Sequence, residues 1–166
     1  MPHCLNCCLA FLVLILISAC ESYDFRVNEK LVYSPKPLFS DFVVPDTALA
    51  ACLEQAIKDG KITSASELAL LNCSHAGVKQ LTGLEAFTGL SQLKLSANSI
   101  GDISPLASLT SLEILLLDDN QLIDTTPLIE LPALQVLNMA ENEALLCPAA
   151  TSFFTVKNLS LPAHCS

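Results

Sequence analysis

From Leu68 onward the apolar positions fall into one fixed frame. Leu71, Leu93, Leu115, Leu137 and Leu159 recur every 22 residues. Ahead of each stands Leu68, Leu90, Leu112, Leu134 or Val156, and behind each Cys73, Leu95, Leu117, Met139 or Leu161. Within a period these positions alternate with other residues, which predicts a short strand per turn near 70–74, 92–96, 114–118, 136–140 and 158–162, with the repeated leucines facing inward. A long leucine-rich helix is the rival for such a period. Gly77, Gly83, Gly89, Gly101, Pro105 and Pro127 interrupt every stretch in which it could form. The pattern predicts an α/β solenoid with about five short parallel strands on its concave face.

Upstream the period changes. Leu49, Cys52, Leu53, Ala56 and Ile57 follow the i, i+3, i+4 spacing of an amphipathic helix, with Asp46 as its N-cap and Gly60 as its stop. Ser64-Ala65-Ser66-Glu67 has the form of a capping box for one further turn. Residues 46–67 are therefore expected to form a helical cap on the solenoid of residues 68–166. Between residues 20 and 45 neither period appears, and Pro35, Pro37 and Pro45 mark a stalk or linker. Phe39, Phe42, Val43 and Val44 are apolar enough for the end of that segment to pack on the domain.

The segments "LSQLKLSANSI", "LEILLLDDNQL" and "LQVLNMAENEA" resemble the leucine-rich repeat consensus LxxLxLxxNxL. Asp102-Ile103-Ser104-Pro105-Leu106 and Asp124-Thr125-Thr126-Pro127-Leu128 continue the likeness to the 22-residue class of internalins and related bacterial surface proteins. Asn98, Asn120 and Asn142 share one register, with Ala76 and His164 at its two ends. An amide can both donate and accept, so these three read as a ladder satisfying backbone groups where the chain leaves each strand. An isolated catalytic asparagine is the alternative, and the register speaks against it.

The first nineteen residues read as a signal peptide. Leu9 to Ile17 form an apolar run, and Ile17-Ser18-Ala19-Cys20 resembles the lipobox of bacterial lipoproteins, in which Cys20 is lipidated and becomes the first residue. The segment departs from that pattern in having no Lys or Arg before the apolar run. An ordinary signal peptide or an uncleaved anchor is the alternative. Glu21 after the cysteine resembles a sorting signal for the outer membrane, which implies an exported, lipid-anchored protein at the periplasmic face or cell surface. Export places Cys52, Cys73, Cys147 and Cys165 in an oxidising compartment. The expected bridges join Cys52 on the helix to Cys73 in the first strand, and Cys147 to Cys165 around the last turn. Free thiols are the alternative. A zinc site with His75 or His164 fits less well, because the two cysteine pairs lie four strand spacings apart, ~19 Å.

A net charge of −9, with no Lys or Arg cluster, excludes nucleic acid as a partner. No GxSxG, HExxH or phosphate-binding glycine loop is present, and no nucleophile stands near a base, so the chain is not expected to be an enzyme or to hold a cofactor. With leucines and asparagines assigned to architecture, function is expected among the residues between them. Leu70, Gln92, Ile114 and Val136 form one column of the concave face, and Lys94, Leu116 and Asn138 stand in the next. Asp118, Asp119 and Glu141 form an acidic rim. Exposed aliphatics beside acids read as a surface for a protein partner; a spacer in the cell envelope and a cation site at Asp119 and Glu141 are the other readings.

Overall fold

The computed structural model describes residues 24–149 and 151–165. The segment expected to be a signal peptide, and Cys20, lie outside them. The chain divides into two compact units, residues 1–37 and 38–166. Among the described residues, no helix is long and apolar enough to cross a membrane.

In the first unit, β1 (Phe25–Val27) and β2 (Lys30–Tyr33) pair antiparallel. The hairpin lies within residues 20–45, where neither apolar period predicts an element. The two loop residues Asn28 and Glu29 both have positive φ, 50° and 64°, which is the backbone of the tight hairpin turn whose twist matches that of its strands. Asn-Glu carries no glycine to advertise such a turn.

The second unit opens with Phe39 and Phe42, which meet the buried Phe87 edge-on at centroid distances of 5.9 and 5.5 Å. The helix α1 (Thr47–Gly60) follows, with Leu49, Leu53 and Ile57 buried along one stripe. Its exit differs from expectation. Gly60 is still helical, and Lys61 takes the left-handed position at φ 51°, with Ile62 N–H returning to the Ile57 carbonyl. The capping box is also displaced: the Glu67 carboxylate accepts from the backbone and hydroxyl of Thr63, and Ser64 caps nothing.

Asp46 joins α1 to the repeats. One carboxylate oxygen accepts from Ala48 and Leu49 N–H at 2.9 and 3.0 Å, and the other from Lys79 and Gln80 N–H at 2.8 and 3.0 Å. Partial burial alone would raise its pKa, but these four donors outweigh it and hold the carboxyl below its ordinary 3.8. A depressed folded-state pKa stabilises the fold above the unfolded value, and the contribution is lost as pH falls through the folded one. The difference in melting temperature between wild type and Asp46→Ala is accordingly expected to hold steady from pH 7 to about 5 and shrink below about 4, from an N-cap contribution of ~1 kcal/mol at neutrality.

Five strands then pair in parallel and in chain order: β3 (Leu70–Asn72), β4 (Gln92–Lys94), β5 (Ile114–Leu116), β6 (Val136–Asn138) and β7 (Asn158–Ser160). Leu71 is opposite Leu93, Leu93 opposite Leu115, Leu115 opposite Leu137 and Leu137 opposite Leu159. The strands are shorter than expected, yet pairing bonds continue past them, as from Cys73 N–H to the Lys94 carbonyl and from Ala97 N–H to that of Asp118. Leu71, Leu93, Leu115 and Leu137 are fully buried, whereas Leu159 is 37% exposed. In that last turn the buried aromatic Phe153 fills the interior instead.

On the far side of the coil the chain returns through short turns at Leu84–Ala86 and Ser104–Ser108 and through α2 (Thr126–Ile129). Proline sits in the first turn of the last two, where its missing N–H has no partner to lose. Asp102 accepts from Ser104, and Asp124 from Thr126, through both hydroxyl and backbone N–H, which fixes the entry to each and lowers both carboxyl pKa values.

The asparagine register forms a ladder. Asn142 is fully buried; its Nδ2 donates to the carbonyls of Leu117, Met139 and Ala140, and its Oδ1 accepts from Leu122 N–H. Asn120 does the same for Leu95, Leu117, Asp118 and Ile100. Asn98 donates to Cys73, Leu95 and Ser96 and accepts from Gly77 and Val78. Each amide thus serves its own turn and the one before it. At the end of the register His164 reaches back too, with Nε2 2.9 Å from the Leu145 carbonyl.

Candidate functional site

The sheet has two faces, and period-2 alternation decides what each carries. With the central leucine of every strand turned inward, the residues on either side of it face the concave surface. One column runs Leu70, Gln92, Ile114, Val136, Asn158 and the next Asn72, Lys94, Leu116, Asn138, Ser160, in the paired order of the strands. Leu70 is 51% exposed, and Ile114, Leu116 and Val136 are half-buried. The structure therefore groups aliphatic side chains in the middle of an accessible sheet face.

Two places beyond the second column the chain meets Asp118, which differs from the free rim acid expected there. Its Oδ1 accepts from the Ser96 hydroxyl at 2.7 Å and from Asn138 Nδ2 at 3.0 Å. Asn138 in turn accepts from Ala140 N–H. A polar chain thus crosses three adjacent turns beside the aliphatic patch, and its members hold one another in place. By sequence, Ser96 stands with Lys94 and Ala97 among the residues free to touch a partner; here its hydroxyl is engaged by Asp118, 22 residues on.

Asp119 and Glu141 remain as exposed rim carboxylates, both with left-handed backbone at φ 55° and 58°. His75 and Ala97 hold the same conformation in the same register. The turn places each of these residues immediately before the asparagine position, so the inward amide and the outward rim side chain are set by one local geometry. Asp119 and Glu141 line an open depression with Ile123, Glu143 and His164. Two carboxylates supply only part of the six to eight oxygens that calcium takes.

The two bridges join Cys52 to Cys73 and Cys147 to Cys165. The first ties α1 to the turn after β3, and the second closes the last turn. Each closes a loop of 21 or 18 residues, which constrains the unfolded chain by ~3 kcal/mol.

No family model matches the chain, and no curated protein sequence matches it. Solved structures do. The fold is similar to an internalin, InlF, from Listeria monocytogenes, at 27% identity and a TM-score of 0.62 over 73% of this chain and 37% of that one. It is also similar to the functional domain of InlJ from the same organism, which includes a cysteine ladder, at 26% identity and a TM-score of 0.56 over 69% of this chain and 28% of that one. The chain spans well under half the length of either. Together with the five-stranded parallel sheet, these likenesses define an internalin-like leucine-rich repeat.

Proposed function

We propose that the chain is an exported leucine-rich repeat module that holds a protein partner on its concave face. The observation that carries this reading is the aliphatic group Ile114, Leu116 and Val136, left accessible in the middle of a sheet face and flanked by the Ser96–Asp118–Asn138 chain. Apolar surface held open by a fixed polar border is costly to leave in water and useful against a partner. Asp119, Glu141 and Lys94 give that surface its charge, and Leu70 and Gln92 extend it along the first two strands. The helix Thr47–Gly60 serves as the cap that shields the first turn, and Cys20 as the lipid attachment that keeps the module at the membrane. The internalins to which the fold is similar support a role in protein interaction.

Five strands at ~4.8 Å spacing make a face only ~19 Å wide. With strands only a few residues long, that amounts to roughly a few hundred Å², below the ~800 Å² per partner of a standard interface, so the engagement is transient or shared with other surfaces. Ile114→Ser with Leu116→Ser is expected to abolish crosslinking to the partner in the cell envelope while leaving the melting temperature within about 3 °C of wild type, because both side chains are half-exposed. Crosslinks that survive in a folded double variant would instead mark the protein as an envelope spacer.

A further inference from the structure

At the end of the repeats, the turn Ala163–Cys165 sets His164 beside the second bridge: a ring nitrogen of His164 and the sulfurs of Cys147 and Cys165 lie within 4.8 Å of one another. Three features of this corner go beyond a structural staple. The first is access. Cys147 is exposed and Cys165 half-buried, whereas in the other bridge Cys52 is half-buried and Cys73 only 2% exposed. A disulfide opens by attack of an incoming thiolate on a sulfur, so the reachable bridge opens first.

The second feature is the tautomer of His164. Its Nε2 lies 2.9 Å from the Leu145 carbonyl, which can only accept, so in the neutral ring the proton sits on Nε2 and Nδ1 offers the lone pair. Histidines that bind metals are commonly fixed in this way, one nitrogen donating to a backbone carbonyl while the other coordinates. The third is distance. Zinc holds thiolate sulfur at ~2.3 Å and imidazole nitrogen at ~2.0–2.1 Å, which puts tetrahedral ligands ~3.5–3.8 Å apart. From the present arrangement the sulfurs need only part, and the set close by about an ångström, on a short terminal turn.

We propose that the Cys147–Cys165 bridge is a redox lock on a Cys147–His164–Cys165 site, which takes zinc or a similar thiophilic divalent cation once the bridge is reduced. A dithiol supplies the electrons. Its first thiolate attacks one sulfur, the S–S bond breaks and a mixed disulfide forms; its second thiol resolves that intermediate. The reductant leaves as a cyclic disulfide, and Cys147 and Cys165 become thiols carrying its two protons. Metal binding releases those protons to solvent as both sulfurs coordinate as thiolates, with water in the fourth position. While the bridge stands, both sulfurs are spent on each other and the site is closed.

The test treats the folded, oxidised protein with one equivalent of dithiothreitol under anaerobic conditions, desalts it, and divides it between alkylation mapping and titration with cobalt(II). Cys147 and Cys165 are expected to alkylate before Cys52 and Cys73. The reduced protein is expected to bind one cobalt with a sulfur-to-metal charge-transfer band that zinc abolishes, and the oxidised protein to show none. His164→Ala, whose fold is checked in the bridged form, is expected to bind at least tenfold more weakly. Cys147→Ser removes the lock without reductant and, with a single thiolate left, is expected to lose the band. Prior opening of Cys52–Cys73, a reduced wild type without the band, or undiminished affinity in His164→Ala would each overturn the proposal.

Discussion

Replacing Asn142 by alanine is expected to lower the melting temperature by about 10 °C while leaving a folded protein. The side chain is fully buried and makes four hydrogen bonds, three to carbonyls and one from Leu122 N–H. Truncation takes the partner from Leu122 N–H and from the Met139 carbonyl, while the Leu117 carbonyl keeps Asn120 Nδ2 and the Ala140 carbonyl keeps Asp119 N–H; each orphaned group costs roughly 1–3 kcal/mol where it cannot relax. Asn120→Ala should lose nearly as much. Asn98→Ala should lose about half, because Asn98 is only half-buried and the Gly77 N–H it accepts from lies at an exposed position. Thermal melts of the three variants check both the size and the order. Asn142→Asp sharpens the test, since it keeps the shape but turns a donor into an acceptor facing three carbonyl oxygens. At pH 7 it should be worse than alanine, and it should recover on acidification as the carboxyl regains a proton to donate. Equal melting temperatures for all variants would show that the ladder does not carry the load assigned to it.

The second large effect is expected at Gly89. A Cβ there would run into the Ser66 carbonyl, whose own carbon lies 2.6 Å and Cα 3.1 Å away. All three atoms are backbone, so no side chain can turn aside. Gly89→Ala is expected to cost about 3 kcal/mol or more and to bring the protein to the edge of unfolding at 37 °C. Gly83→Ala should be similar, as its Cβ would meet the Val43 carbonyl and its φ of +96° disfavours any side chain. Gly77 and Gly101 separate these two causes. Gly77 has φ +81° with open space around it, so alanine there should cost only ~1 kcal/mol. At Gly101 the nearest atom to an added Cβ is 3.5 Å away and the substitution should be neutral. Denaturant melts of the four alanine variants give the ranking directly.

These glycines show where sequence reasoning reached its limit. As helix breakers, Gly83 and Gly89 were legible, because that property is local. Their close approach to Val43 and Ser66 was not, because it depends on how residues 38–66 lie against the first turns. The strands were legible for the opposite reason: five periods in one register state the same local structure five times, and a parallel sheet with that register is the one way to stack them. Non-repeating segments offered no such redundancy. The hairpin at Phe25–Tyr33 turned on positive φ at Asn28 and Glu29, for which their types give little notice. Among the concave residues, the columns followed from alternation alone, but the binding of Asp118 by Ser96 and Asn138 depended on rotamers. An acid that looked free along the chain is the middle member of a bonded row.

The left-handed residue in each turn has a further meaning for how this scaffold can be altered. His75, Ala97, Asp119 and Glu141 each occupy a conformation that disfavours a side chain by about 1–2 kcal/mol, and glycine would relieve it. The molecule therefore holds an unspent reserve of stability, one increment per coil, in a single line along its edge, less what glycine gives back in chain entropy. Anyone stabilising the scaffold would draw on Ala97 first, where only a methyl is given up. At Asp119 and Glu141 the same exchange removes a rim carboxylate, so on that line stability and surface charge can be gained only at each other's expense.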